Sequence, residues 1–124
     1  MTDPRRSLGA VGERLAAEYL AQQGYRVVAR NWRSGRGGEI DLVAEDGACL
    51  VIVEVRTRRG ERFGPPEESV TAAKQARLAA LAEAYAQAVG WAGPLRVDVV
   101  AVHLAADGRL LGIRHLRDAV GGRR

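Results

Sequence analysis

Four charged residues flank one tight-turn signal. Glu39 and Asp41 precede the pair Asp46-Gly47, and Glu54 and Arg56 follow it. Asp-Gly between alternating apolar residues favours a β-hairpin. With Asp46-Gly47 as a two-residue loop, Glu45 pairs with Ala48, Asp41 faces Ile52 and Glu39 faces Glu54. A four-residue loop, 45–48, keeps the same register. Strand side chains alternate with period two, so Glu39, Asp41, Glu54 and Arg56 are expected on one face. Asp41 and Glu54 become diagonal neighbours, ~7–8 Å apart at Cα, close enough for two carboxylates to share one cation. Acids packed this way repel one another. A raised carboxyl pKa, neighbouring arginines or a divalent cation relieves the repulsion. An all-oxygen ligand set suits Mg²⁺ or Mn²⁺ rather than zinc. The alternative is a surface salt network built around Arg56.

Two helical residues extend this cluster. Glu13 lies about 20° from Leu20 on a helical wheel, at the border of the apolar side, where it reaches the sheet or remains an ordinary border glutamate. Lys74 is the sole lysine of the chain. It lines up with Leu78, Leu81 and Tyr85 on an inward stripe. It also sits in the first turn of its helix, where the dipole disfavours a cation, so it calls for an anionic partner or snorkels outward on its stem.

The remaining basic charge is arginine. The 124 residues carry a net charge of +4 with a pI near 10.0, which suits a polyanionic partner. Arg30, Arg33, Arg36, Arg56, Arg58, Arg59 and Arg62 crowd one stretch, interleaved with six acids. Such mixed density reads as a site rather than a basic tail. Trp32 and Phe63 are candidates for base stacking or, more simply, for strand-rim and loop packing. Asp98 reads as a buried, paired support, while His103 and His115 lack ligand-spaced partners and read as structural. Cys49, paired with Ala44 in this register, reads as a small core hydrophobe. A lone cysteine excludes an internal disulfide framework and a cysteine-rich zinc site, and suits a reducing cytoplasm. The longest apolar run, 49–53, is far short of the ~20 residues that span a bilayer, and no secretory signal follows the early arginines.

The elements that must position these residues follow from periodicity. Apolar spacing predicts a helix over 8–23 stopped by Gly24, and strands over 25–32, 39–45 and 49–57. A helix over 71–89 and strands over 95–104 and 109–116 complete the order α-β-β-β-α-β-β. Short turns make the first three strands an antiparallel meander, and the long helix is a crossover to a parallel fourth strand. The expected product is a single α/β domain over 1–124, a mixed sheet with a helix on each face, its tails at 1–7 and 119–124 frayed. The Ala-rich second helix covers the sheet or offers a homodimer face.

Gly9…Gly12-Glu13, Gly24-Tyr25, Arg30-Asn31-Trp32-Arg33, Gly38-Glu39-Ile40-Asp41-Leu42, Val53-Glu54-Val55-Arg56, Phe63-Gly64, Val70…Lys74 and Arg96-Val97-Asp98-Val99-Val100 occur in that order. Over residues 9–118 this pattern resembles the YraN family of small bacterial proteins. The resemblance implies the restriction-endonuclease-like PD-(D/E)xK fold shared with archaeal Holliday-junction resolvases. It implies Asp41 and Glu54 as metal-binding carboxylates, with Glu13 as the extra acid of resolvase-like members. Arg56 then stands at the position of the superfamily's motif lysine, with Lys74 as a helix-borne base beside the site. The corresponding activity is Mg²⁺- or Mn²⁺-dependent hydrolysis of DNA, branched or damaged DNA by analogy. Asp41, Glu54, Arg56 and Lys74 would do the chemistry, and Asp41, Glu54, Glu13 and Glu39 would hold metal. Arg30, Arg33, Arg36, Arg58, Arg59 and Arg62 would contact flanking phosphates. Arginine at position 56 cannot serve as a general base, so a non-catalytic nucleic-acid-binding module and a DNA-processing adaptor are the competing readings.

Overall fold

The apolar residues sort into two sets, each needing its own cover, and the sheet lies between them. The computed structural model describes residues 4–35, 37–60 and 71–120. Its elements are α1 (Pro4–Gln22), β1 (Arg26–Arg33), β2 (Glu39–Asp46), β3 (Cys49–Arg59), α2 (Ala72–Val89), β4 (Leu95–Leu104) and β5 (Leu110–Leu116). The strands lie side by side in the order β1-β2-β3-β4-β5. All neighbouring pairs are antiparallel except β3 and β4, which the α2 crossover makes parallel. The fold is the α/β mixed sheet with a helix on each face that the sequence predicts.

α1 covers one face. Ala16, Ala17 and Leu20 pack there on Leu42, Ala44, Val51, Val53, Val100, Val102 and Leu104. Leu78, Leu81, Ala82 and Tyr85 of α2 cover the other, over Ile40, Val43, Leu50, Ile52 and Val97. Thus the Ala-rich stripe of α2 is used against the sheet. Both helices end in the same way. Gly24 (φ 91°) and Gly90 (φ 72°) adopt the left-handed backbone that lets the next residue's N–H reach back to Leu20 and Ala86 carbonyls. Thr71 caps the start of α2 by accepting from the Lys74 N–H at 3.2 Å.

Two tail expectations need correction. α1 begins at Pro4, a residue suited to the first helical position, instead of at residue 8. At the other end, Ala119 N–H donates to Val97 O at 2.7 Å and Val120 is buried against the α2 core, so the chain is anchored through residue 120. Residues 1–3 and 121–124 lie outside the described residues.

Asp98 is fully buried and ties β4, β5 and the end of α1 together. Its oxygens accept from Arg96 Nε (2.9 Å), Tyr25 OH (3.2 Å) and Asp118 N (2.9 Å). His115 Nε2 lies 2.7 Å from Asp98 Oδ2, and its Nδ1 lies 3.3 Å from Tyr19 OH. A proton on Nε2 satisfies both contacts. Burial alone would raise the Asp98 pKa, but Arg96, the Asp118 N–H and His115 hold it below the ordinary value. His103 Nε2 sits 2.8 Å from Gly60 O. Asp98, His103 and His115 are therefore structural. Trp32 packs edge-on to Tyr85, ring centroids 5.3 Å apart, and belongs to the α2 core.

Candidate functional site

The hairpin turn falls one residue later than the Asp-Gly pair suggests. Asp46 pairs with Cys49 and Val43 with Ile52, so the loop is Gly47-Ala48. Gly47 takes φ 60° while Ala48 stays at negative φ, as in a turn with glycine at its first central position. Hence Asp41 is not opposite Ile52, and Cys49 is not opposite Ala44. The slip is by two residues, which leaves side-chain parity intact and carries Asp41 toward Glu54 itself. Cys49 still packs against the α1 core.

The ladder between β2 and β3 runs only as far as Leu42–Val53. Beyond it the Val55 N–H donates to Asp41 Oδ2 at 2.7 Å, in place of a backbone carbonyl. Simple alternation fails at this point. Ile40 and Leu42, two residues apart, bury in opposite cores, so β2 turns through Asp41. The Asp41 carboxylate is thereby drawn into the fork between the two strands.

Three more acids reach the same fork. Gly12 lets α1 press on β3, because a Cβ there would stand 2.9 Å from Thr57 Cβ, and the next residue is Glu13. Glu13 contributes from the helix, Glu39 from the start of β2 and Glu54 from β3. Burial pushes Asp41 up to about 7. The Val55 N–H opposes this, and the charges of Glu54, Glu13 and Glu39 add to it. Burial and Glu39 likewise raise Glu13, against hydrogen bonds to Asp41 and Asn31. Glu54 Oε2 lies 3.5 Å from Arg56 Nε, both side chains largely buried, and Glu39 Oε1 lies 3.8 Å from Arg33 Nη2. Glu13, Glu39, Asp41 and Glu54 with Arg56 thus gather as the spacing suggests.

One member was not foreseen. Asn31 lies in β1 with a left-handed φ of 53°. With its amide nitrogen toward the acids, it donates to Glu39 Oε2 at 2.8 Å and Glu13 Oε1 at 3.0 Å. A strand-averse residue that tolerates left-handed backbone, set between Arg30 and Trp32, was the available signal.

Other candidates stand apart. Lys74 is half-buried one turn before Leu78, with no ion pair to a carboxylate among the described residues. Arg30, Arg33 and Arg58 are exposed on the rims of β1 and β3. Arg59 instead clips the β4–β5 turn, donating from Nε (3.0 Å) and Nη2 (2.8 Å) to Ala106 O. Arg36, Arg62 and Phe63 lie outside the described residues. The donor set at the fork is all oxygen with an excess of negative charge, which suits a hard divalent cation. Among the described residues no group of three or more such side chains is placed to hold a metal ion. No helix there is long and apolar enough to cross a membrane.

The class so defined is an α/β protein with a five-stranded mixed sheet and a cluster of carboxylates where two strands part. Residues 12–102 match the model of the uncharacterised protein family UPF0102, and the chain belongs to that family. It is 57% identical over 106 residues to a UPF0102 protein of Symbiobacterium thermophilum, covering 85% of this chain and 89% of that one. A UPF0102 protein of Roseiflexus castenholzii is 48% identical over 122 residues, 97% of this chain and 98% of the relative. One from Herpetosiphon aurantiacus is 50% identical over 110 residues, 85% and 88% respectively.

Proposed function

We propose that this chain is a Mg²⁺- or Mn²⁺-dependent nuclease that hydrolyses DNA phosphodiesters in the cytoplasm, on branched or damaged DNA by analogy with the PD-(D/E)xK resolvases. The observation that carries this reading is the half-buried Asp41 carboxylate, held in the β2–β3 fork among Glu13, Glu39 and Glu54. Asp41 and Glu54, with Glu13 and Glu39, would hold the cation. When bound, such an ion polarises a phosphate and lowers the pKa of water. Arginine is not a general base, so the part of Arg56, 3.5 Å from Glu54, is to stabilise negative charge on the phosphate. Lys74 offers a second cation near the start of α2. Arg30, Arg33 and Arg58, with Arg36 and Arg62, would position the backbone without reading sequence, whereas Arg59 is engaged by the Ala106 carbonyl.

The Glu54–Arg56 pair also favours one alternative, a nucleic-acid-binding module that does not hydrolyse its target, because a mobile lysine is replaced by a fixed guanidinium. Incubation of linear, nicked and four-way DNA with Mn²⁺ separates the two. Cleavage by the unmodified chain and loss of at least a hundredfold in Asp41→Ala supports hydrolysis. Binding without products under every condition supports the module.

A further inference from the structure

Asn31 has two unusual properties that meet at one place. It is an asparagine inside β1 with φ 53°, a conformation that L residues rarely adopt within a strand. Its side chain also spans from α1 to β2, 3.0 Å from Glu13 Oε1 and 2.8 Å from Glu39 Oε2. The two properties have a common origin. Ala29 and Trp32 both bury in the α2 core, although strict alternation would place them on opposite faces. The left-handed turn at Asn31 makes that possible and swings its amide to the acids. Trp32 against Tyr85 then fixes the swing from below. Backbone departures of this kind persist where surrounding packing enforces them, and they concentrate at functional sites.

From this geometry we infer that Asn31 is a positioning residue: its amide holds Glu13 and Glu39 in the orientation that lets them join Asp41 and Glu54 around a divalent cation. The inference rests on the metal-site reading above and adds an uncharged donor to it. An amide suits this role better than lysine or arginine. It separates two carboxylates that would otherwise repel, yet brings no positive charge to compete with an incoming cation. Partners that orient ligands from outside commonly govern metal affinity by 10–100-fold when removed, about the effect expected here.

The test is Mn²⁺ binding to the full chain, read by calorimetry or electron paramagnetic resonance, in the unmodified protein and in Asn31→Gly. Glycine accepts the left-handed backbone freely, so the variant keeps the turn and loses only the amide. The metal-free melting temperature should change little, because relief of the left-handed backbone offsets the lost hydrogen bonds, while Mn²⁺ binds about 10–100-fold more weakly. In a background of Glu13→Gln with Glu39→Gln, the same substitution should alter Mn²⁺ affinity by less than about threefold, because the amide's partners are gone. Equal Mn²⁺ affinity of Asn31→Gly and the unmodified chain overturns the role of Asn31 alone. Failure of the unmodified chain to bind Mn²⁺ overturns the metal site and this inference together.

Discussion

Asp41 is the acid at the centre of the fork, half-buried and surrounded by like charge. Its carboxyl is pushed to about 7, so the folded state holds a proton there that the unfolded chain, near 3.8, has released. The folded form therefore binds more protons between these values, and stability falls as pH rises through that window. At full ionisation the cost is roughly 4 kcal/mol. Denaturant melts without metal should show stability decreasing from pH 5 to pH 8, and Asp41→Asn should flatten that slope. An unchanged slope in the variant would remove Asp41 as its source. The acids themselves were legible in the sequence as neighbours across one turn, but the register that brings them together lies two residues away and β2 turns at Asp41. Asn31 was not, because its role depends on a left-handed backbone that neither composition nor periodicity encodes.

At the scale of elements, two contacts set where α1 and β2 lie, Gly12 against Thr57 and the Val55 N–H on Asp41. Gly12 has no room for a side chain against Thr57, and that close approach brings Glu13 to the fork. Gly12→Ala should cost about 1–3 kcal/mol by overpacking, measured by chemical denaturation. Thr57→Ala in the same chain should recover part of the loss. No loss in Gly12→Ala would mean that α1 does not need its close seat on β3. Element types and order were readable because the helical and strand periods are clean. Register was less so: Gly47 could serve as either turn residue, and the difference of one position moved every cross-strand partner by two. Burial of Ile40 and Leu42 on opposite faces was also out of reach, because regular alternation assigns them to the same one.

At the scale of the molecule, a satisfied polar network adjoins an acid-rich fork, Asp98 standing opposite Val53, one residue before Glu54. Asp98, Arg96, Tyr25 and His115 satisfy one another and pin β5, whereas the fork concentrates unbalanced negative charge beside rims of exposed arginine. That asymmetry suits a polyanion brought to a cation. DNA binding should weaken steeply with salt, and Arg30→Ala or Arg33→Ala should reduce the log–log slope by about one unit each. A slope unaltered by both substitutions would place the polyanion elsewhere. The two-core, mixed-sheet architecture followed from sequence because each strand's apolar content announces how many faces it buries. Which arginines are free of protein partners did not, as exposed Arg59 shows by donating to the Ala106 carbonyl.

The proposed site binds a divalent cation through carboxylates in the β2–β3 fork. Thermal melting at pH 8 with increasing Mn²⁺ tests it most directly, comparing the unmodified chain with Asp41→Asn. A ligand at a hundred times its dissociation constant adds about 2.7 kcal/mol to a folded state that alone binds it. The unmodified chain should rise steadily in melting temperature with Mn²⁺. Asp41→Asn should start higher without metal and then stay level. A flat response of the unmodified chain, or an equal rise in the variant, would contradict the claim.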